Sequence, residues 1–322
     1  MKEALFIKQN KNRWMEFEKA ISGVSTASPD KLAELFIQVT DDLSYAQTQY
    51  PNTRTSAYLN ALASKVHREI YKNKKEETNR FITFWKTEVP QAIYDSRRQL
   101  LYALIIFVVS GAIGAVSAAH DSTFVRLILG DHYVNMTLEN IKNGNPTKVY
   151  STMDEAFMFY YIAWNNIQVS FMIFLFGVFF SLGTGLYLFY NAIMVGSFMM
   201  FFYQENQLAH AFPVIMLHGT IELSSIVIAA AAGFTMGNGL LFPGTYSRRY
   251  SFRRGGKRGL KIIIGLVPFF IIAAFIESFI TRYAFMHWSF KVLIIGLSAA
   301  LMIYYFIIYP YRLRRNGKLY RN

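Results

Sequence analysis

The sequence predicts an all-α protein, a polytopic bundle of about six membrane-spanning helices preceded by a helical domain outside the membrane. Three observations predict it. Apolar stretches recur through the C-terminal two-thirds, each near the ~20 residues that cross the hydrocarbon core at roughly 1.5 Å per residue. The first 98 residues hold no such stretch and carry 16 basic and 12 acidic residues, an ordinary aqueous surface. Elsewhere the basic residues cluster beside apolar segments, as the positive-inside rule requires.

The 322-residue chain is 53% hydrophobic and carries a net charge of +13. It has no cysteine, which excludes disulfides, thiolate metal sites and cysteine nucleophiles. Met1 to Trp14 is polar, so no cleavable signal peptide is expected and insertion starts from an internal segment. The charge is local. Residues 244–261 hold Arg248, Arg249, Arg253, Arg254, Lys257, Arg258 and Lys261, and the tail holds Arg312, Arg314, Arg315, Lys318 and Arg321, with no acid in either. Basic runs beside spans set topology and attract anionic headgroups at about 1 kcal/mol per residue. They predict membrane lipids as partners, not nucleic acid, with Arg248, Arg249, Arg253, Arg254, Lys257 and Arg258 as docking candidates for headgroups or a cytosolic protein.

Residues 1–98 are expected to form a cytosolic domain of three amphipathic helices. The first places Trp14, Phe17 and Ile21 on one face. The second opens at Ser28-Pro29-Asp30, with proline at its first helical position. It repeats Leu32, Leu35, Phe36, Val39, Leu43 and Ala46 at the helical period and closes at Pro51. The third carries Leu59, Leu62, Val66 and Ile70, a solvated run from Lys72 to Arg80, and then Phe81, Phe84 and Trp85.

The transmembrane domain is expected over 99–311, with a basic cytosolic tail at 312–322. Its first span is Leu100 to Ala119. An insert at 120–164 has three basic and five acidic residues, which suits the outer side. Its apolar patch (Phe124, Val125, Leu127, Ile128, Leu129) and aromatic patch (Phe157, Phe159, Tyr160, Tyr161, Trp164) read as interfacial helices. Residues 167–203 read as two short spans hinged at Gly183-Thr184-Gly185, because a single span would put the basic loop 237–261 outside; a re-entrant pair is the variant. Residues 211–235, Ile262 to Ile280 and Phe290 to Tyr309 complete six spans with both termini inside. Lys291 is expected to mark an outer end, and the small-residue faces Gly111/Gly114 and Gly233/Gly237 permit self-association.

Ionisable groups within apolar helices are costly, so they mark sites. His218 and Glu222 stand four residues apart on one helix face, and Glu277 is a second intramembrane acid. Asn165, Asn166, Gln168 and Asn191 lie on neighbouring spans. A zinc site needs about three protein ligands, and His218, Glu222 and Glu277 could supply them. The two-histidine metalloprotease pattern and the serine nucleophile elbow are both absent. The sequence therefore predicts no metal, no cofactor and no catalytic residue. It predicts instead a polar cluster of His218, Glu222, Glu277, Asn165, Asn166 and Asn191 whose members satisfy one another.

Several segments together carry a family resemblance. They are Asn165-Asn-Ile-Gln-Val169, Gly183-Thr-Gly185 with Asn191 to Gly196, His218-Gly-Thr-Ile-Glu222-Leu, Ala229 to Gly233, Leu241-Phe-Pro-Gly244 with Arg248, and Ala273-Ala-Phe-Ile-Glu277. Over about residues 80–310 the chain resembles the stage II sporulation protein M family. It departs at Ala192, where an Asn-Gly pair is expected. The resemblance implies a multi-pass protein of the bacterial or archaeal inner membrane. In endospore formers it implies a scaffold that anchors cell-wall-degrading enzymes, with protein partners on the outer and cytosolic faces. A permease or channel-like subunit is the alternative reading, motivated by polar groups and glycine breaks inside the membrane.

Overall fold

The structure is a computed structural model and describes residues 2–21, 29–72, 80–151, 154–283 and 286–317. The side chains of Val66 and Ile70, most of the solvated run before Arg80, and the tail residues Lys318 and Arg321 lie outside the described residues. Among the described residues every regular element is helical. The chain forms two compact units, Met1–Asn79 and Arg80–Asn322.

The first unit is three helices, α1 (Glu3–Ile21), α2 (Pro29–Gln49) and α3 (Arg54–Lys72). The apolar period of each faces one core of Phe6, Trp14, Phe17, Leu35, Val39, Ala46, Leu59 and Leu62. Asp42 is buried within it but not unpaired, since it accepts from the Trp14 indole at 2.8 Å and pairs with Arg13. That satisfies the acid, which would otherwise cost several kcal/mol to bury.

The boundary falls nineteen residues earlier than the expected 98. Residues 80–95 belong to the membrane unit as α4 (Arg80–Thr83), a π turn Phe84–Glu88 and α5 (Val89–Asp95). The apolar face that looked like a continuation of the third helix is a lid on the bundle: Phe84, Val89, Ala92 and Ile93 enter its core. The Tyr305 and Tyr309 hydroxyls donate to the carbonyls of Trp85 at 2.8 Å and Lys86 at 3.1 Å.

Six helices are long and apolar enough to cross a membrane. They are α6 (Arg97–His120); α9 (Glu155–Leu175), continued to Val178; α10 (Leu182–Gln204); α11 (Leu208–Leu241); α12 (Arg248–Phe275), continued by a π turn to Thr281; and α13 (Trp288–Ile303), continued by a π turn into α14 (Tyr309–Arg315). Between the first two lie α7 (Ser122–Leu129) and α8 (Asp131–Lys142).

The number of spans agrees with the sequence, but three internal expectations need correction. The second span begins at Glu155, so the aromatic patch 157–164 is its first two turns rather than an interfacial helix. The break between the second and third spans is Phe179-Phe180-Ser181, where Phe180 and Ser181 take φ of 53° and 68°. Gly183, Thr184 and Gly185 fall inside the first turn of α10 and are not the hinge. The basic loop 237–261 shrinks to 242–247, because α12 is helical from Arg248, with the Ser247 hydroxyl accepting from the Tyr250 N–H.

α11 is the hub of the membrane unit. Over its most apolar stretch 78% is buried, against 17% for α6 and for the last span. Its run Ala229-Ala-Ala-Ala-Gly233 has no bulk, so neighbouring backbones come close. A Cβ on Gly233 would meet the Ile173 carbonyl at 2.8 Å and the Thr184 hydroxyl closer still. Thr184 in turn donates to that same carbonyl at 2.7 Å, tying α10 to α9. α6 and α10 are joined similarly, with Gly114 against the Ile193 backbone and Ser197 donating to the Gly114 carbonyl at 3.3 Å. The Gly114 and Gly233/Gly237 faces are thus used within the chain rather than left for a second copy.

The insert helices close one end of the bundle. Asp121 caps α7 by accepting from the Thr123 N–H at 2.8 Å and its hydroxyl at 2.7 Å, which holds the Asp121 carboxyl below its ordinary range. Val125 and Val134 pack with Phe201, Phe202, Ala211 and Ile215. Of the expected apolar patch, Val125 is buried and Phe124 and Leu129 are half-buried, leaving Leu127 fully presented at 79% exposure.

Candidate functional site

α11 and the far end of α12 bring the predicted ionisable trio together. His218 is 5% exposed, and its Nε2 lies 3.8 Å from Glu277 Oε1. One ligand atom each from His218, Glu222 and Glu277 lies within 4.8 Å of the others. The i, i+4 spacing on α11 puts His218 and Glu222 on one face. The second carboxyl arrives through the π turn Ile276–Thr281, and π turns are frequent at functional sites.

The same turn supplies Thr281, which the sequence reading did not single out. Its hydroxyl is 3.2 Å from His218 Nδ1 and donates to the Ile276 carbonyl at 3.1 Å. A hydroxyl that donates its proton to a carbonyl accepts from the imidazole, so Nδ1 carries the hydrogen and Nε2 points to the carboxyls. The available signal was Thr281 four residues after Glu277, the spacing of His218 and Glu222.

The trio opens into a half-enclosed cavity of 410 Å³. Asn165, Asn166 and Asn191 line it. Asn166 is the buried one at 7% exposure, and its Nδ2 has no hydrogen-bond partner, although it stands close enough to Glu222 to interact with the carboxyl. Asn191 Nδ2 donates within its own helix to the Tyr187 carbonyl at 2.8 Å, and Asn165 is exposed at the rim. Gln168 points outward and does not join them. Lys291, expected to mark an outer end, is buried near the start of α13.

The cavity lies at the end of the bundle opposite the arginines. Glu277 is 29 residues past Arg248, about 43 Å along the helix, and Tyr133 of α8 and Leu129 of α7 line the cavity wall. Arg282, just beyond it, pairs with Glu155 at the start of α9.

The arginine cluster divides in two. Arg258 pairs with Asp95 at 3.3 Å, Lys261 with Glu88 at 2.8 Å, and Arg254 lies over the Tyr246 ring at 5.7 Å. Arg248, Arg249, Arg253 and Lys257 are exposed and suit headgroup contact better than Arg258 does. Arg258→Gln is expected to cost about 1 kcal/mol of stability wherever it is measured. Joint replacement of Arg248, Arg249 and Arg253 by glutamine is expected to leave the melt in neutral lipid unchanged and to reduce stabilisation by anionic lipid. Melting curves in nanodiscs of each composition check both.

Fold and site define a multi-pass helical membrane protein with a polar chamber near one end of its bundle. The family model described as stage II sporulation protein M matches residues 103–282, and the chain belongs to that family. The match takes in His218, Glu222, Glu277 and Thr281 and is narrower than the resemblance read from 80–310. A separate model, a domain of unknown function (DUF8413), matches residues 4–72, which is most of the first compact unit. No curated protein and no solved structure matches the chain.

Proposed function

We propose that the protein is a non-enzymatic scaffold of the bacterial or archaeal inner membrane, which recruits cell-envelope or wall-remodelling factors. The observation that supports this reading is Leu127, a large apolar side chain 79% exposed on a helix that does not span. Apolar groups displayed outside the spans are what a docking surface offers. The soluble helical unit and the exposed arginines would engage the other side.

A photo-crosslinking residue placed at Leu127 in living cells tests it. A specific adduct with an extracytoplasmic protein is expected, absent when the probe sits at the lipid-facing Val109 of α6. Adducts with lipid alone at both positions would end the scaffold reading. The chamber favours a second reading, a permease or channel-like subunit. A solute flux in reconstituted vesicles that Glu222→Gln abolishes would select it. An adduct at Leu127 that survives the same substitution would select the scaffold.

A further inference from the structure

We infer that His218, Glu222 and Glu277 form a binding site for a divalent first-row metal ion, with Asn166 as an additional oxygen donor. Donors around such an ion sit at about 2.0–2.2 Å from it, so a tetrahedral set lies about 3.3–3.6 Å apart. The trio lies within 4.8 Å and closes on an ion by about an ångström, a side-chain rotation.

Three further features fit an ion rather than mutual hydrogen bonding. The imidazole is oriented as ligating histidines are, with Nδ1–H held by a second group and Nε2 turned to the acids. Here the second group is Thr281, itself fixed by the Ile276 carbonyl. His218 Nε2 and Glu277 Oε1 stand 3.8 Å apart, close to the spacing of two donors on one ion. Asn166 is buried, lines the same cavity and has an amide nitrogen without a partner. Side-chain amide oxygen and nitrogen exchange by a flip, which would turn its oxygen to the ion.

Once ionised, the two carboxyls beside a neutral imidazole carry two negative charges, which one divalent cation balances. Mixed nitrogen and oxygen donors select zinc, manganese or iron over magnesium and calcium. The cavity leaves room for a water or a substrate atom in an open position.

The test uses full-length protein without a histidine tag, stripped with chelator in detergent and dialysed against Zn2+ or Mn2+. About one ion per chain is expected by elemental analysis. His218→Ala and Glu277→Gln are each expected to weaken binding by at least roughly tenfold, Asn166→Ala by less. His120→Ala, at an exposed histidine bonded to its own helix, is the control and is expected to bind as wild type does. Should a site variant fail to fold, Co2+ in the wild-type protein gives the answer. Visible d–d bands of a mixed imidazole–carboxylate site, displaced by Zn2+, would support the proposal. The spectrum of hydrated Co2+, no retained ion, or equal retention by His218→Ala would overturn it.

Discussion

Gly233→Leu is expected to prevent the membrane unit from assembling, and Gly233→Ala to cost about 2–3 kcal/mol. The reason is the backbone and not the side chain that is added. Gly233 faces the Ile173 carbonyl and the Thr184 side chain at distances no Cβ tolerates. Moving α10 aside also breaks the Thr184–Ile173 hydrogen bond, and α9 loses its tie to α10. In lipid, helices gain little by hydrophobic association and depend on close packing and interhelical hydrogen bonds, so the loss is not easily offset. Gly296 is the control: a Cβ there meets nothing within 4 Å, and Gly296→Leu is expected to melt as wild type does. Thermal melts in one detergent compare the three. A Gly233→Leu protein that elutes and melts normally would mean that α11 is not the centre of the bundle.

The spans were legible because length and apolarity decide them, whatever the packing. Their joints were not. A glycine pair at Gly183 and Gly185 reads as a hinge, yet the chain turns at Phe180 and Ser181, two residues that take the left-handed region without being glycine. Gly183 is needed for contact instead, since a Cβ there would meet the Phe176 carbonyl at 2.6 Å. Hydropathy carries no information on which use a glycine serves. The arginine run shows the converse error. Charge suggested a loop, but arginine and lysine are good helix formers, and Ser247 starts the helix directly at Arg248.

The site was half legible. His218 and Glu222 follow from one helical spacing, and Glu277 from its place in an apolar run. What joins them is a π turn, a local widening of α12 that hydropathy does not show, and from it Glu277 and Thr281 address the two nitrogens of one ring. That residues 80–95 pack with the bundle was hidden for a related reason. Amphipathicity shows that residues 80–95 cover something apolar, but not whether that is their own domain or the bundle.

The His218–Glu277–Thr281 contact predicts a distinctive pattern of stabilities in metal-free protein. His218→Leu is expected to cost about 1–3 kcal/mol, because it leaves Glu277 facing an apolar side chain and Thr281 without its donor. Thr281→Val keeps the shape and removes the hydroxyl, so the Nδ1 hydrogen and the Ile276 carbonyl each lose a partner, for about 1–2 kcal/mol. The double variant His218→Leu/Thr281→Val is expected to be less destabilised than the sum of the two, by about 1 kcal/mol, since the Nδ1 donor and its hydroxyl acceptor are removed together. Guanidinium or thermal unfolding in a fixed detergent, run as a double-mutant cycle with chelator present, measures that difference. Strict additivity would mean that the imidazole and the Thr281 hydroxyl do not interact in the folded chain. The reading of the chamber as one site, on which the metal proposal also stands, would then fail, whereas loss of metal binding alone would leave this coupling in place.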